Sequence, residues 1–465
     1  MPVTQVRGLP APPPDDLLAD AAASGFARRA AGLSARDTLS PQQAEAFARL
    51  IAVAGMLGLT APGLLLTGLL MLAPAVFLAV ILFRLFLLAV AFAPRRRSGF
   101  PAGLTVMLPT YTVLVAMKDE APCVPQLARV LRGFDYPEHL LDVKLLIETD
   151  DDSTREAIEA AAWPRRTELL VLPPGQPQTK PRALNYGLSR AAGAYVVVYD
   201  AEDRPHPGQL RAAAEAFARA GPQVACLQAP LVGIPAKGGW LARQWALEYA
   251  IQFGLILPSL ARLGLPIALG GTSNHFRRTA LRGVGGWDAW NVTEDADLGL
   301  RLARLGWRVG TIASPTLEAP PEEGGVWLAQ RSRWLKGFAQ TWLVLMRDPK
   351  GVARALGPAG FASVQLTLGA AILSALVHGP WALWCLACLV SPDLSLGPVG
   401  LGGLVLSLAT GGLSAAIAPG RPFWRKVGDI LTLPLYWPLQ SLAMTRALWS
   451  LACRPHYWAK TPHHV

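Results

Sequence analysis

Two long hydrophobic stretches, one towards each end of the chain, set the limits on what this sequence can fold into. From Leu50 to Phe92 the residues are almost wholly apolar, about twice the roughly 20 that one membrane-crossing helix needs. Ala73-Pro74 offers a place to turn, so residues 47–93 are expected to form two antiparallel spans. Apolar segments return at Ala359–Val390, Val399–Ala418 and Ile430–Ala452. The first two form an out-and-back pair. The third carries Pro434, Pro438 and Arg446, which suits an interfacial or re-entrant path, so residues 358–452 are read as transmembrane or interfacial helices. Basic residues flank the blocks, at Arg28, Arg29 and Arg36, Arg95 to Arg97, and Arg421 to Lys426, and such flanks mark the cytoplasmic side.

A chain of 465 residues with 52% hydrophobic residues and a mean hydropathy of +0.32 is too apolar for an ordinary soluble enzyme and too polar for a bare membrane bundle. A soluble domain set among membrane helices satisfies both figures. The net charge of +11 sits beside apolar segments and forms no basic stripe interleaved with aromatics, so a lipid bilayer is the expected partner and nucleic acid is not. Five scattered cysteines argue against a disulfide framework. Cys385 and Cys388 form a lone Cys-x-x-Cys inside an apolar run, where packing is the better reading than metal binding.

Residues 1–46, rich in Ala, Pro and Arg, are expected to be a mobile cytosolic leader without a cleavable signal peptide. Residues 105–350 alternate short β-type runs (Thr112–Ala116, Val143–Glu148, Leu169–Val171, Tyr195–Tyr199) with helical stretches such as Ala157–Ala162 and Gln209–Ala220. The alternation predicts an α/β fold, right-handed βαβ units on a mostly parallel sheet with helices on both faces. Leu241–Leu263 and Val326–Met346, rich in Trp and Arg, are expected to lie in the membrane interface. Residues 453–465 form a basic tail.

Acidic clusters fall where an open α/β sheet carries its chemistry, at the carboxyl ends of strands. The run Leu145-Leu146-Ile147 leads into Glu148, Asp150, Asp151 and Asp152. A helix N-cap accounts for one or two of these carboxylates and not for the rest. The run Val196 to Tyr199 leads into Asp200, Glu202 and Asp203, oxygen ligands suited to Mg2+ or Mn2+ shared with phosphates. Thr293-Glu294-Asp295 precedes a helical stretch and, taken alone, reads as acids at the favourable end of a helix dipole. In Gln330-Arg331-Ser332-Arg333-Trp334, arginine forks suit phosphate oxygens and Trp334 offers a flat apolar face to a sugar ring.

In this order the clusters resemble glycosyltransferase family 2, in particular its processive cellulose-synthase-like and hyaluronan-synthase-like membrane enzymes, whose pattern runs D, D-x-D, T-E-D, Q-x-x-R-W. The counterparts are Asp150-Asp151, Asp200-Ala201-Glu202, Thr293-Glu294-Asp295 and Gln330 to Trp334. Lys180 to Asn185 and Gly270 to Asn274 are similar to two further segments of that branch, and Tyr457-Trp458-Ala459-Lys460-Thr461 to its gating loops. Three departures stand out. Glu202 replaces the second Asp of D-x-D and makes Asp203 a rival ligand, Asp152 replaces a Gly, and Lys118-Asp119-Glu120 replaces a frequent Tyr-Asn-Glu.

The resemblance implies a Rossmann-like glycosyltransferase-A domain and one inverting displacement at the anomeric carbon of a UDP-sugar, UDP-glucose before UDP-N-acetylglucosamine. It implies Asp295 as general base. Asp150 or Asp151 would hold uracil and ribose, and Lys180, Asp200, Arg331, Arg333 and Lys460 the donor diphosphate. Glu294, Gln330 and Trp334 would contact the acceptor, and Asp200 with Glu202 or Asp203 the metal. The main expectation is synthesis and export of a β-linked polysaccharide at a bacterial inner membrane, with a growing glycan as acceptor and the catalytic domain cytosolic. The first alternative is transfer of one sugar to a membrane lipid, and the second a non-catalytic membrane scaffold. An export or regulatory partner is left unidentified. Asn291-Val292-Thr293 matches a glycosylation sequon but would face the cytosol, and His456 is read as part of a frayed tail.

Overall fold

The computed structural model describes residues 15–94, 107–234 and 238–457. Its centre is a seven-stranded sheet built from β1 (Tyr111–Met117), β2 (Leu141–Glu148), β3 (Thr167–Leu172), β4 (Tyr195–Tyr199), β6 (Val224–Gln228), β8 (Asn274–Arg277) and β9 (Arg308–Thr311). A smaller sheet joins β5 (Arg204–Pro205), β7 (Leu231–Gly233) and β10 (Thr316–Glu318). In space the large sheet runs β3-β2-β1-β4-β8-β6-β9. Only β8 opposes its neighbours; the other pairings are parallel. The fold is thus the expected mostly parallel α/β sheet.

The strands read as nearly unbroken apolar runs because both faces of the sheet are covered. Leu114, Leu146, Val196 and Val198 face a core completed by the Lys180–Arg190 helix and by Leu87, Leu88, Ile256 and Leu260. Val113, Val115, Val143, Leu145 and Val197 face a second core filled by Leu127, Leu131, Ile158 and Leu210. In register, Val115 of β1 lies opposite both Leu145 and Tyr199. The acids that follow β2 and β4 therefore emerge at one edge of the sheet, beside Lys118-Asp119-Glu120 after β1.

Among the described residues, three helices are long and apolar enough to cross a membrane: Pro74–Phe92, Pro349–Val390 and Gly397–Ile417. The turn expected at Ala73-Pro74 lies elsewhere. The chain breaks at Ala61 (φ −146°, ψ 58°), Pro62 opens the next helix, and Pro74 runs inside that helix, Pro62–Phe92. A proline suits a first helical position, where no N–H partner is lost. Upstream, Pro41–Thr60 begins with a capping box between Ser40 and Gln43 and buries none of its residues. Leu50, Ile51, Met56 and Leu59 stand exposed on it. The third C-terminal segment is broken into Phe423–Leu431, Leu433–Tyr436 and Leu439–Cys453.

Within the stretch read as a mobile leader, residues 15–46 take a different form. The helix Asp15–Arg29 buries Ala19, Ala22, Ala23, Phe26 and Ala27. Asn185 Nδ2 donates to the Ala22 carbonyl (3.1 Å), and the Arg301 guanidinium lies 4.1 Å from the centre of the Phe26 ring. Just beyond, the Asp288 carboxylate accepts from Ser34 Oγ (3.0 Å) and from the Ala35 N–H (2.6 Å). Alanine-rich sequence hides this burial because the apolar surface is supplied mainly by the partner. Two stretches expected at the membrane interface also lie partly inside the protein. Gly324–Leu345 buries Trp327, Arg331, Leu335 and Lys336. Leu241–Leu263 is a helix, a π-turn at Gln252–Ile256 and a second helix, docked to the first span through Ser259 Oγ to the Leu87 carbonyl (2.8 Å).

Phe26→Ala is expected to cost about 3–5 kcal/mol of stability. The measurement is the thermal midpoint of the detergent-solubilised protein, with protease sensitivity of residues 15–35 beside it. An unchanged midpoint with no new cleavage would mean that the N-terminal helix is not part of the folded core.

Candidate active site

At the carboxyl edge of the sheet opens a cavity of ≈ 980 Å³. One end is polar, lined by Lys118, Glu148, Lys180, Asp200, Glu202, Glu294, Asp295, Glu318 and Arg333. The other end runs between apolar helices, where Val80, Phe83, Leu87, Ile256, Leu260 and Leu366 line it.

Lys180 lies at the start of the helix Lys180–Arg190 and joins the parts of the polar end. Its ammonium is ion-paired with Asp200 and donates to the Gly271 carbonyl (2.8 Å). Burial pulls its pKa down, but Asp200, Glu294 and Asp295 outweigh that and hold it above the ordinary lysine value. Two residues on, buried Arg182 grips Glu148 at 3.1 and 2.8 Å, which fixes the end of β2 to the same helix.

Glu294 and Asp295 open the helix Glu294–Arg304. Burial pushes the Glu294 carboxyl up to about 8, reinforced by Asp295 and opposed by Lys180. Asp295 is likewise raised by burial, against lowering by the Ala296 N–H, Lys180 and Arg333. Thr293 fixes this loop against the helix Gly324–Leu345. Gly337 on that helix faces it so closely that a Cβ would overlap the Thr293 side chain.

Asp200 and Glu202 line the cavity, whereas Asp203 is buried behind them. Its carboxylate accepts from the Asp200 N–H (2.8 Å) and from the Thr272 hydroxyl, a loop-closing role rather than the rival metal-ligand role expected. Burial and the neighbouring Asp200 and Glu202 raise its pKa strongly. Glu318, at the end of β10, is raised in the same way by burial and then by Asp203, Asp200 and Glu202. These acids crowd into a low-dielectric corner whose negative charge calls for a cation. Two of them reach the cavity wall from one loop, and among the described residues no three His, Cys, Asp or Glu are grouped to enclose a metal by themselves.

The other expected site residues divide. Asp151 caps the helix Asp152–Ala160, accepting from Thr154 N (3.2 Å) and Asp119 N (2.6 Å). Asp150 is exposed and 3.6 Å from Lys118. Neither aspartate lines the cavity; Lys118, Asp119, Glu148 and Gln178 do. Arg331 departs from the phosphate role. Its guanidinium holds Glu248 at 2.9 and 2.6 Å and Tyr436 Oη at 3.1 Å. Arg333 instead lies within electrostatic reach of Glu294, Asp200 and Asp295. Gln330 accepts from Trp245 Nε1 (3.0 Å), and Trp334 stacks on Tyr249 with ring centres 6.1 Å apart; both line the cavity. The C-terminal tail is held to the site rather than frayed at His456. Lys336 Nζ donates to Ser450 Oγ (3.1 Å), the Arg454 carbonyl (2.6 Å) and the Tyr457 carbonyl (3.0 Å). His456 and Tyr457 thereby reach the cavity wall, while Lys460 lies outside the described residues.

Sequence reasoning missed Glu318 and Glu248. Glu318 carries the same signal as the other clusters, an acid ending a short β run, and Glu248 is a lone carboxylate in an apolar helix.

Comparison with known proteins bears on the same residues. A family model described as "Glycosyl transferase family group 2" matches residues 195–400, which include Asp200, Thr293 to Asp295 and Gln330 to Trp334. The β-monoglucosyldiacylglycerol synthase of Synechocystis sp. is 28% identical over 289 residues, 60% of this chain and 58% of that protein. The poly-β-1,6-N-acetyl-D-glucosamine synthase of Staphylococcus aureus is 25% identical over 245 residues, 51% of this chain and 56% of that protein. The chain thus spans little more than half the length of these curated relatives. Among solved structures, a mannosyltransferase of Pyrobaculum calidifontis in complex with GDP-Man and Mn2+ superposes with a TM-score of 0.53 at 21% identity, covering 83% of this chain and 97% of that one. That likeness shows the glycosyltransferase-A fold, and over residues 195–400 the chain is similar to glycosyltransferases of family group 2, with candidate membrane spans on either side of the sheet.

Proposed function

We propose that this enzyme moves a single hexose from a UDP-sugar, UDP-glucose first, onto a membrane lipid, with inversion at the anomeric carbon. The observation that carries the reading is the continuity of the cavity from Asp295 and Asp200 to the apolar walls between the candidate spans. The likeness to β-monoglucosyldiacylglycerol synthases supports it. This reverses the order expected from sequence, where synthesis and export of a polysaccharide came first. A hydrated glycan would leave its hydroxyls unpaired against Val80, Phe83, Leu87 and Leu366, whereas acyl chains suit such walls. The basic flanks of the spans support a cytosolic catalytic domain.

The acceptor hydroxyl attacks the anomeric carbon as the bond to the UDP oxygen breaks, and its proton passes to Asp295. A base whose pKa is raised by burial accepts that proton more readily than an ordinary aspartate. Lys180 and Arg333 face the charge gathering on the leaving diphosphate. Asp200 and Glu202 are the pair that would hold Mg2+ or Mn2+ jointly with the donor phosphates, adding positive charge where it is needed. Trp334, facing the cavity beside Glu294 and Gln330, offers the transferred sugar a stacking surface.

The test is UDP release by purified protein with a panel of UDP-sugars, in lipid nanodiscs or with soluble oligosaccharide acceptors. A glycolipid product supports the reading; a high-mass glycan formed without lipid acceptor overturns it. Asp295→Asn is expected to lower kcat by about 10²–10⁴-fold while donor binding is retained. The base must be ionised, so turnover falls as pH drops through the Asp295 pKa. Because that value lies above the ordinary 3.8, the acid limb of the kcat profile should sit above the ordinary aspartate range and vanish in the variant's residual rate. Removing divalent ions with a chelator should abolish turnover, and Mn2+ or Mg2+ should restore it. Full activity after chelation would mean that cationic side chains of the cavity, Lys180 and Arg333 among them, carry the counter-charge without a metal.

A further inference from the structure

The apolar end of the cavity holds charges that sugar transfer does not use. Arg84 lies within the candidate span Pro74–Phe92, among Val80, Phe83 and Leu87, and lines the cavity with them. An arginine at such a position is costly, and where it occurs it marks a polar partner or a ligand. Arg84 Nε has no hydrogen-bond partner among the described residues. Glu248 is the carboxylate within electrostatic reach of it. That carboxylate is already gripped on both oxygens by Arg331 and accepts from Tyr436 Oη (2.9 Å) as well. Arg331 is itself packed against Trp334, 4.8 Å from the ring centre, and against Trp327 at 5.6 Å. Two guanidinium groups therefore share one carboxylate, which leaves a positive charge in excess at the apolar end of the cavity. A second polar group points the same way. His378, on the candidate span Pro349–Val390, stacks on Trp437 (5.6 Å), lines the same cavity, and has no hydrogen-bond partner at Nδ1 among the described residues.

We propose that this end of the cavity binds the phosphate of an anionic membrane lipid, with Arg84 as the residue that recognises it and the apolar helices receiving the chains. The proposal rests on the lipid-acceptor reading and narrows it, since a neutral diacylglycerol would leave Arg84 without its counter-charge. Guanidinium forks match phosphate oxygens in pairs, and in a low-dielectric setting that pairing is strong enough to select one head group over another. A bound lipid of this kind is held with its head towards Asp295, which lines the same cavity.

The experiment uses the full chain in detergent, with tryptophan quenching by brominated lipids as the readout and UDP-sugar binding measured in parallel. The probes are brominated phosphatidylglycerol, a brominated prenyl phosphate, brominated diacylglycerol, and inorganic phosphate as competitor. Preference for either phosphate lipid over diacylglycerol by about tenfold or more, lost in Arg84→Gln and kept in part by Arg84→Lys, supports the proposal. The two phosphate lipids distinguish a phosphodiester head from a phosphomonoester. Competition by inorganic phosphate alone, with no difference among the lipids, overturns it as a lipid site. Equal binding of diacylglycerol, or an Arg84→Gln variant with unchanged lipid preference, also overturns it while donor binding keeps the glycosyltransferase reading intact. Should Arg84→Gln fail to fold, Arg84→Lys and the lipid preference of the unaltered chain decide the matter alone. Absence of donor binding in the unaltered chain would instead sink the reading on which the proposal rests.

Discussion

One buried ammonium organises the polar end of this molecule. Lys180 reaches Asp200 after β4, the Gly271 carbonyl in the loop before β8, and the field of Glu294 and Asp295. Its helix makes two more connections. Arg182 ties it to Glu148 at the end of β2, and Asn185 ties it to the Trp287 carbonyl (2.8 Å) and to the N-terminal helix through Ala22. A single eleven-residue helix thus ties the ends of β2 and β4, the loop before the helix Glu294–Arg304 and the N-terminal segment to one another. The Lys180 charge works against the burial that raises the Glu294 and Asp295 carboxyls, and Arg333 acts in the same sense.

That arrangement explains what was legible in the sequence. β1, β2 and β4 could be read because each is a largely apolar run buried on both faces, and β2 and β4 each end in clustered acids; at the sheet edge, β3 keeps the apolar run Leu169 to Leu172 although Glu168 is exposed. β8 could not be read that way. Asn274-His275-Phe276-Arg277 looks polar, yet His275 is fully buried, paired with Tyr111 Oη (2.7 Å) and Gln209 Oε1 (3.2 Å). A strand stabilised by internal polar pairs has no hydrophobic signature, so its antiparallel place between β4 and β6 is settled only by tertiary partners. The N-terminal helix was missed for a related reason, because its small alanines are buried by what they lie against.

The arginines of Gln330 to Trp334 show the same limit at the site. Arg331 and Arg333 are two positions apart, about 200° around a helix, so they cannot serve one ligand from the same face. The sequence offers both as phosphate forks. The structure gives Arg331 to Glu248, a residue eighty-three positions away, and leaves Arg333 with Glu294, Asp200 and Asp295. Asp151 and Asp203 follow the same logic. Each belongs to a cluster that reads as catalytic, and each has its oxygens occupied by loop-closing N–H and hydroxyl groups. In such clusters the acids that face the cavity are told from the acids that hold the loop only by where the donors are.

The candidate membrane helices also shape the cavity. Ser259 and Arg262 bond to backbone carbonyls of the first span, and the π-turn at Gln252–Ile256 turns Gln252, Phe253 and Ile256 into the cavity wall between them. π-turns of this sort recur at functional sites because they redirect side chains without ending the helix. Here the redirected residues join an apolar wall to the carboxylate-rich end, so that water has little polar lining to follow along that side. Excluding water strengthens each interaction among Lys180, Arg333 and the carboxylates. It also disfavours hydrolysis of the donor, which makes a lipid-facing wall a natural complement to a transferase whose proposed acceptor resides in the bilayer.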